Sequence, residues 1–203
     1  MVPPPDSILI QRAADIVQKG GVVAFPTETS YGLGASIKHI DALERIYVIK
    51  QRPRHKPLLI LISDTSDLIH LVSHVPPAAV TLMERFWPGP LTLLLPAKQG
   101  LPWPLCADTA KVGVRISSHS WAHFLVQILG NPMTATSANL SEHPATYKAE
   151  DVADQLRSWP PDYILNGGPT FGGAPSTIID VCTDPPEIIR EGAISPKDMD
   201  LCG

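Results

Sequence analysis

Three cationic anchors and one Ser-x-Asn run stand out among the chemistry-bearing residues of this chain: Lys50-Gln51-Arg52, Arg115, Arg190 and Ser137-Ala138-Asn139. The cations adjoin apolar runs, Ile46-Tyr47-Val48-Ile49 before Lys50 and Val112-Gly113-Val114 before Arg115. A charge placed there needs a ligand, a partner charge or solvent to receive it. Together these groups point to a cleft for an anion, and a nucleotide is the natural candidate.

Lys50, Arg52, Arg54 and Lys56 alternate along a segment broken by Pro53, so a point cation and a planar bidentate donor could meet phosphate within a few residues. A solvated basic loop gives the same pattern. Arg115 ends an apolar strand, where it either points into a ligand crevice or pairs with a buried acid. Pro26 to Gly34 combines hydroxyls with small residues after a strand and reads either as a ligand loop or as a polar turn with two turn glycines. Thr134 to Asn139 supplies neutral donors suited to phosphate or ribose, and equally a helix cap or an Asx turn. The phosphate loop G-x-x-x-x-G-K-[ST] and the serine-hydrolase elbow G-x-S-x-G are both absent. His70 with His74, and His119 with His123, share helical spacing but lack a third ligand, so they are expected as surface histidines.

The elements that must position these groups follow from hydrophobic period and punctuation. Asp6 or Ser7 caps a helix with Leu9, Ala13, Ile16 and Val17 on one face, ended by Gly20-Gly21. A strand is expected at Val22 to Phe25, and a helix runs from Asp41 to Lys50, with Pro53 barring its continuation. Strands follow at Leu58 to Ile62, Leu91 to Leu95, Val112 to Ile116 and Met133 to Thr136, with helices at about Ala78 to Phe86 and Trp121 to Leu129. Short strands near Tyr163, at Thr177 to Val181 and at Glu187 to Arg190 complete the set, and Ala97 to Ala110 reads as a mobile surface loop. The pattern predicts an α/β single domain with a twisted mixed β-sheet flanked by helices.

With 203 residues, 44% hydrophobic and 18% charged, the chain suits one soluble globular domain. Its apolar runs are strand-sized, well short of the roughly 20 residues that span a bilayer, so no membrane association and a cytoplasmic location are expected. Cys106, Cys182 and Cys202 show no C-x-x-C spacing and read as buried or idle thiols. A net charge of −4 opposes a general nucleic-acid-binding surface.

Taken in order, FPTETSYGLGA (Phe25 to Ala35), KQRPRHKPL (Lys50 to Leu58), FWPGPLTLLLP (Phe86 to Pro96), VGVRI (Val112 to Ile116), TSANLS (Thr136 to Ser141), PSTIID (Pro175 to Asp180) and IIREGAI (Ile188 to Ile194) resemble the YrdC-like family of L-threonylcarbamoyladenylate synthases. The resemblance implies the short form, with residues 1–6 a flexible N-terminal tail and 7–203 a YrdC-like catalytic domain bearing a concave basic cleft. It implies L-threonine, bicarbonate and ATP with Mg²⁺ as substrates, threonylcarbamoyl-AMP and pyrophosphate as products, and a separate transferase complex that loads the threonylcarbamoyl group onto tRNA. Carried residue by residue, Lys50, Arg52, Ser137 and Asn139 are the implied catalytic set. The ATP site adds Lys56, Lys111, Ala145 and Arg190, and the threonine site comprises Thr29, Arg115, Ala135 and Ser176. No metal ligand is assigned. The rival reading is an RNA-binding module of the same fold without catalysis, whose basic segment tracks a phosphate backbone weakly.

Overall fold

The computed structural model describes residues 5–199. Helix α1 (Ser7–Gln18) begins at Asp6, whose carboxylate accepts the amides of Ile8 and Leu9 at 2.9 and 3.2 Å. Of the two expected caps, Asp6 and Ser7, the helix uses Asp6. A hairpin follows, β1 (Val23–Pro26) and β2 (Tyr31–Gly34), with Thr27 to Ser30 in its turn.

Helix α2 (Ile40–Lys50) buries Leu43, Ile46, Tyr47 and Lys50, positions i, i+3, i+4 and i+7 of one face. Gln51 then turns the chain with a left-handed φ of 50°, and the Arg52 amide donates to Tyr47 O at 2.9 Å. Only the centre of the run 58–62 pairs as a strand, β3 (Ile60–Leu61). A 3₁₀ helix (Thr65–His70), α3 (Pro77–Phe86), β4 (Leu91–Pro96), α4 (Trp103–Cys106) and β5 (Lys111–Arg115) come next. Helix α5 (Ser120–Leu129) stops at Gly130, φ 65°, and is followed by β6 (Met133–Thr134), β7 (Thr136–Ser137) and α6 (Ala149–Gln155). β8 (Tyr163–Ile164), β9 (Thr177–Asp180), β10 (Glu187–Arg190) and α7 (Pro196–Met199) end the described chain.

The strands form two sheets, one of order β7-β2-β1-β8 and one of order β10-β9-β4-β5-β3-β6, each mixing parallel and antiparallel pairs. The division falls at Ala135. Met133 and Thr134, read as part of one strand, pair with β3, whereas Thr136 and Ser137 pair with β2. The seam is stitched by the Thr134 amide to Ala35 O at 2.8 Å, the Ala35 amide to Thr134 Oγ1 at 3.0 Å and the Ala135 amide to Leu59 O at 2.8 Å. Gly32 and Gly34 are strand residues, not turn residues; a Cβ on Gly34 would stand 2.0 Å from Thr134 O.

Alternation separates the two faces of the larger sheet. Leu91, Leu93, Leu95, Val112, Val114 and Ile179 are fully buried in the main core, while Thr92, Leu94, Arg115, Ser176 and Ile178 face the other way, into a cavity. Each buried leucine contributes about 2 kcal/mol, so a one-residue slip of β4 would exchange three of them for Thr92 and Leu94 and is strongly disfavoured. A second core joins α1, α5 and β1 around Ala13, Val17, Phe25 and Leu125.

The segment from Ala97 to Ala110 is not the mobile loop its composition suggests. Leu105 is fully buried, Pro104 O accepts the Leu58 amide at 2.8 Å, and the Ala97 amide closes the segment on Ala110 O at 2.9 Å. No helix among the described residues is long and apolar enough to cross a membrane.

Because the seam leaves no room for a methyl group at Gly34, Gly34→Ala is expected to destabilise the fold by about 3 kcal/mol, read as a lower urea midpoint with unchanged slope.

Candidate active site

A cavity of about 830 Å³ lies where the two sheets meet, a size suited to a ligand as large as a nucleotide. Thr92, Ser176 and Ile178 floor it from the larger sheet, Thr29 and Tyr31 wall it from the β1–β2 hairpin, and Ala135 and Ser137 line the seam. Arg52, Arg115 and Arg190 enter from three separate elements.

Each arginine is placed by a different local device. Arg52 follows the left-handed turn at Gln51, and its guanidinium donates to Lys56 O at 3.1 Å and Pro57 O at 3.0 Å. Arg115 ends β5 on the face it shares with Gly113, where a Cβ would meet Leu59 at 2.3 Å. Arg190 follows an irregularity in the β9–β10 register, after Ile188, that pairs it with Ile178. Its guanidinium donates to Ser176 O at 2.8 Å and Ser176 Oγ at 3.0 Å, and Ser176 Oγ also meets Thr92 Oγ1 at 2.9 Å.

The electrostatics are those of an anion receptor. Burial, then the charges of Arg115 and Arg52, lower the pKa of Arg190, and burial lowers that of Arg52. Against these three cations stands Glu28, whose Oε2 lies 3.7 Å from Arg115 Nη2. An incoming polyanion would relieve the repulsion among the guanidiniums.

Lys50 and the Ser-x-Asn run are two halves of one contact. Lys50 is 2% exposed, and its ammonium donates to Ser137 O, to Asn139 O at 2.7 Å and to Asn139 Oδ1 at 3.2 Å, while Lys50 O accepts the Ser141 amide at 2.8 Å. Asn139 Nδ2 in turn donates to His143 O at 2.6 Å. Burial, then the neighbouring charge of Arg52, pushes the Lys50 ammonium down from 10.5 to about 7.

Of the residues expected at the site, Arg52, Lys56, Ser137, Ala145, Arg190, Thr29, Arg115, Ala135 and Ser176 line the cavity. Three do not. Lys50 and Asn139 lie behind the wall that carries Ser137, because three oxygen acceptors draw the ammonium inward. Lys111, at the opposite end of β5 from Arg115, is held by Asp180. In the basic segment Arg54 turns outward to pair with Glu44, so the solvated-loop alternative describes that residue and not Arg52.

The histidines divide. His70 and His74 are exposed as expected, but His119 is buried at 4% exposure with neither ring nitrogen partnered among the described residues, and His123 is half-buried. Among the described residues no group of three or more His, Cys, Asp or Glu could hold a metal. Cys106 is buried and Cys182 exposed, both as free thiols; Cys202 lies outside the described residues. Glu28, Thr92 and Tyr147 escaped sequence reasoning, although the alternation of β4 signals the inward face of Thr92.

Fold and cavity thus define an α/β protein with an arginine-rich cavity between two sheets. The Sua5/YciO/YrdC family model, described as "Telomere recombination", matches residues 15–192, and the chain belongs to that family. It is 43% identical over 192 residues to the threonylcarbamoyl-AMP synthase of Bacillus subtilis, covering 94% of this chain and 55% of that protein. The crystal structure of Pyrococcus abyssi Sua5 complexed with L-threonine superposes with a TM-score of 0.94 at 36% identity, over 99% of this chain and 59% of that one. Escherichia coli YciO superposes with a TM-score of 0.88 at 33% identity, over 98% and 96% of the respective chains. The chain spans about half the length of the threonylcarbamoyl-AMP synthases it matches.

Since Lys50 is depressed in the folded state, the unfolded chain binds the extra proton between pH 7 and 10.5, and stability contributed through this group rises with pH across that window. Thermal melts of the wild type and Lys50→Met are expected to differ in this way, the variant lacking that part of the rise.

Proposed function

We propose that this chain is a nucleotidyltransferase that makes L-threonylcarbamoyladenylate and pyrophosphate from L-threonine, bicarbonate and ATP. The observation that carries this reading is the meeting of Arg52, Arg115 and Arg190 on one cavity with the hydroxyls of Thr29, Ser137 and Ser176. It is supported by 43% identity to a threonylcarbamoyl-AMP synthase and by the likeness to a Sua5 structure that holds L-threonine.

Three steps follow from the chemistry. Bicarbonate takes up a proton and loses water to give carbon dioxide; the deprotonated threonine amine then attacks its carbon, forming the N–C bond as one C=O π bond opens, and the nitrogen sheds a proton to leave a carbamate. A carbamate oxygen then attacks the α-phosphorus of ATP, forming a P–O bond as the bond to pyrophosphate breaks. The chain's residues act by position and charge: Arg115 holds the threonine carboxylate, Arg52, Lys56 and Arg190 offset phosphate charge, and Ser137 and Ala145 lie along the nucleotide. Lys50 and Asn139 serve by fixing the wall that carries Ser137. No covalent protein nucleophile is required. Carbamates decompose in water, and a concave site between two sheets limits the water that reaches one.

ATP enters as its Mg²⁺ complex. No carboxylate lines the cavity among the described residues, so the ion's ligands would come from phosphate oxygens and water. The product would pass, in the cytoplasm, to a separate transferase complex that loads tRNA. Within the basic segment Lys50 is buried and Arg52 faces the cavity, an arrangement that favours an enclosed ligand over an RNA backbone.

Pyrophosphate release by the purified chain is expected to require ATP, Mg²⁺, bicarbonate and L-threonine together, with threonylcarbamoyl-AMP detected by mass spectrometry. Release that ignores threonine rejects the reading. Lys50→Ala and Arg52→Ala are each expected to lower the rate on the order of 100-fold or more, and near-normal turnover in either removes its assigned role.

A further inference from the structure

Glu28 lies in the β1–β2 turn beside Thr29, yet its side chain is only 11% exposed and does not line the cavity. It sits behind Arg115. Oε2 accepts the hydroxyl of Ser117 and faces Arg115 Nη2, while Oε1 is buried without a hydrogen-bond partner among the described residues. Ser117 and the buried His119 both belong to the chain leaving β5, so the carboxylate is held by the same segment whose strand end carries Arg115.

The three cavity arginines differ in how they are held. Backbone carbonyls fix Arg52 and Arg190, at Lys56, Pro57 and Ser176. Arg115 donates no hydrogen bond among the described residues, and its side chain, 9% exposed, has Glu28 as its charge partner. At 3.7 Å the pair is too long for a bidentate bridge, so the guanidinium donors stay free for a second carboxylate. A neutral group at position 28 would leave Arg115 facing the charge of Arg190 with nothing to hold its orientation.

We propose that Glu28 is the positioning residue for Arg115. Its buried carboxylate fixes the guanidinium from behind and so sets the affinity of the site for the carboxylate of the amino-acid substrate, without touching that substrate. The inference rests on the amino-acid-binding role given to Arg115 above.

The test is Glu28→Gln, which keeps shape and removes charge. The expected result is a KM for L-threonine raised about tenfold or more, with kcat and the KM for ATP within about twofold of wild type. Glu28→Asp should recover part of the loss, and Ser117→Ala should show a smaller shift of the same sign. A role confined to folding would instead raise both KM values and lower kcat together. That pattern, or an unchanged threonine KM, overturns the proposal. Calorimetric titration with L-threonine reads the same effect without turnover, as a dissociation constant raised to a similar extent. Wild-type protein that binds L-threonine but releases no pyrophosphate therefore sinks the activity reading alone, whereas wild-type protein that binds no L-threonine overturns the role of Glu28.

Discussion

Three guanidiniums facing one cavity repel one another, and the rest of the structure is arranged to hold them there. Like charges in a partly dry site drift apart or shed charge unless rigid elements oppose them. Here the opposition comes from the two sheets. The pairing of β5 with β3 and β4 fixes the backbone of Arg115 while Glu28 faces its guanidinium; Arg190 is held by the register shift and its bonds to Ser176, and Arg52 by the turn after α2 and its bonds to Lys56 and Pro57. Burial first, and then the charges of Arg115 and Arg52, lower the pKa of Arg190, and a polyphosphate would offset that charge conflict. Guanidiniums held this way are arranged in advance of any anion that enters the cavity.

The seam at Ala135 explains how elements so distant in sequence share one wall. A chain that changes sheets within three residues brings the hydroxyl of Ser137 from one sheet opposite the floor residues of the other. Such an approach needs small residues, which Gly34 and Ala135 supply. Lys50 secures the far side, tying the end of α2 to the Ser-x-Asn backbone by three oxygen contacts. The lysine and the asparagine lie outside the cavity lining, although sequence reading placed both at the site.

Much of the fold was legible in the sequence, because its signals are local. The period of α1, the glycines after it, the proline after α2 and the strand-sized apolar runs of β4 and β5 marked their elements to within a residue or two. Local signals failed where tertiary contacts overrode composition. Tyr31-Gly32-Leu33-Gly34, in a stretch that reads as a ligand loop or a polar turn, pairs on both sides as a strand, because its glycines admit a neighbouring backbone. The stretch 97–110 reads as a loose loop but buries Leu105 under β5. His119 reads as a surface residue of a helical pair but is the residue before α5, turned into the core.

The sequence by itself determined which side chains could bind an anion, and the ordered run of motifs determined the family, since residue type and spacing are local facts. Only the tertiary structure decided which cations reach the cavity. Lys50, Arg52, Arg54 and Lys56 alternate evenly along the chain, yet one is buried, one pairs outward with Glu44 and two line the cavity. The reason is physical: a side chain's direction is set by the helix end, strand register and nearest opposite charge that hold it. The partner of Arg115 lies 87 residues earlier in the chain, in a hairpin turn with no local signal for that contact.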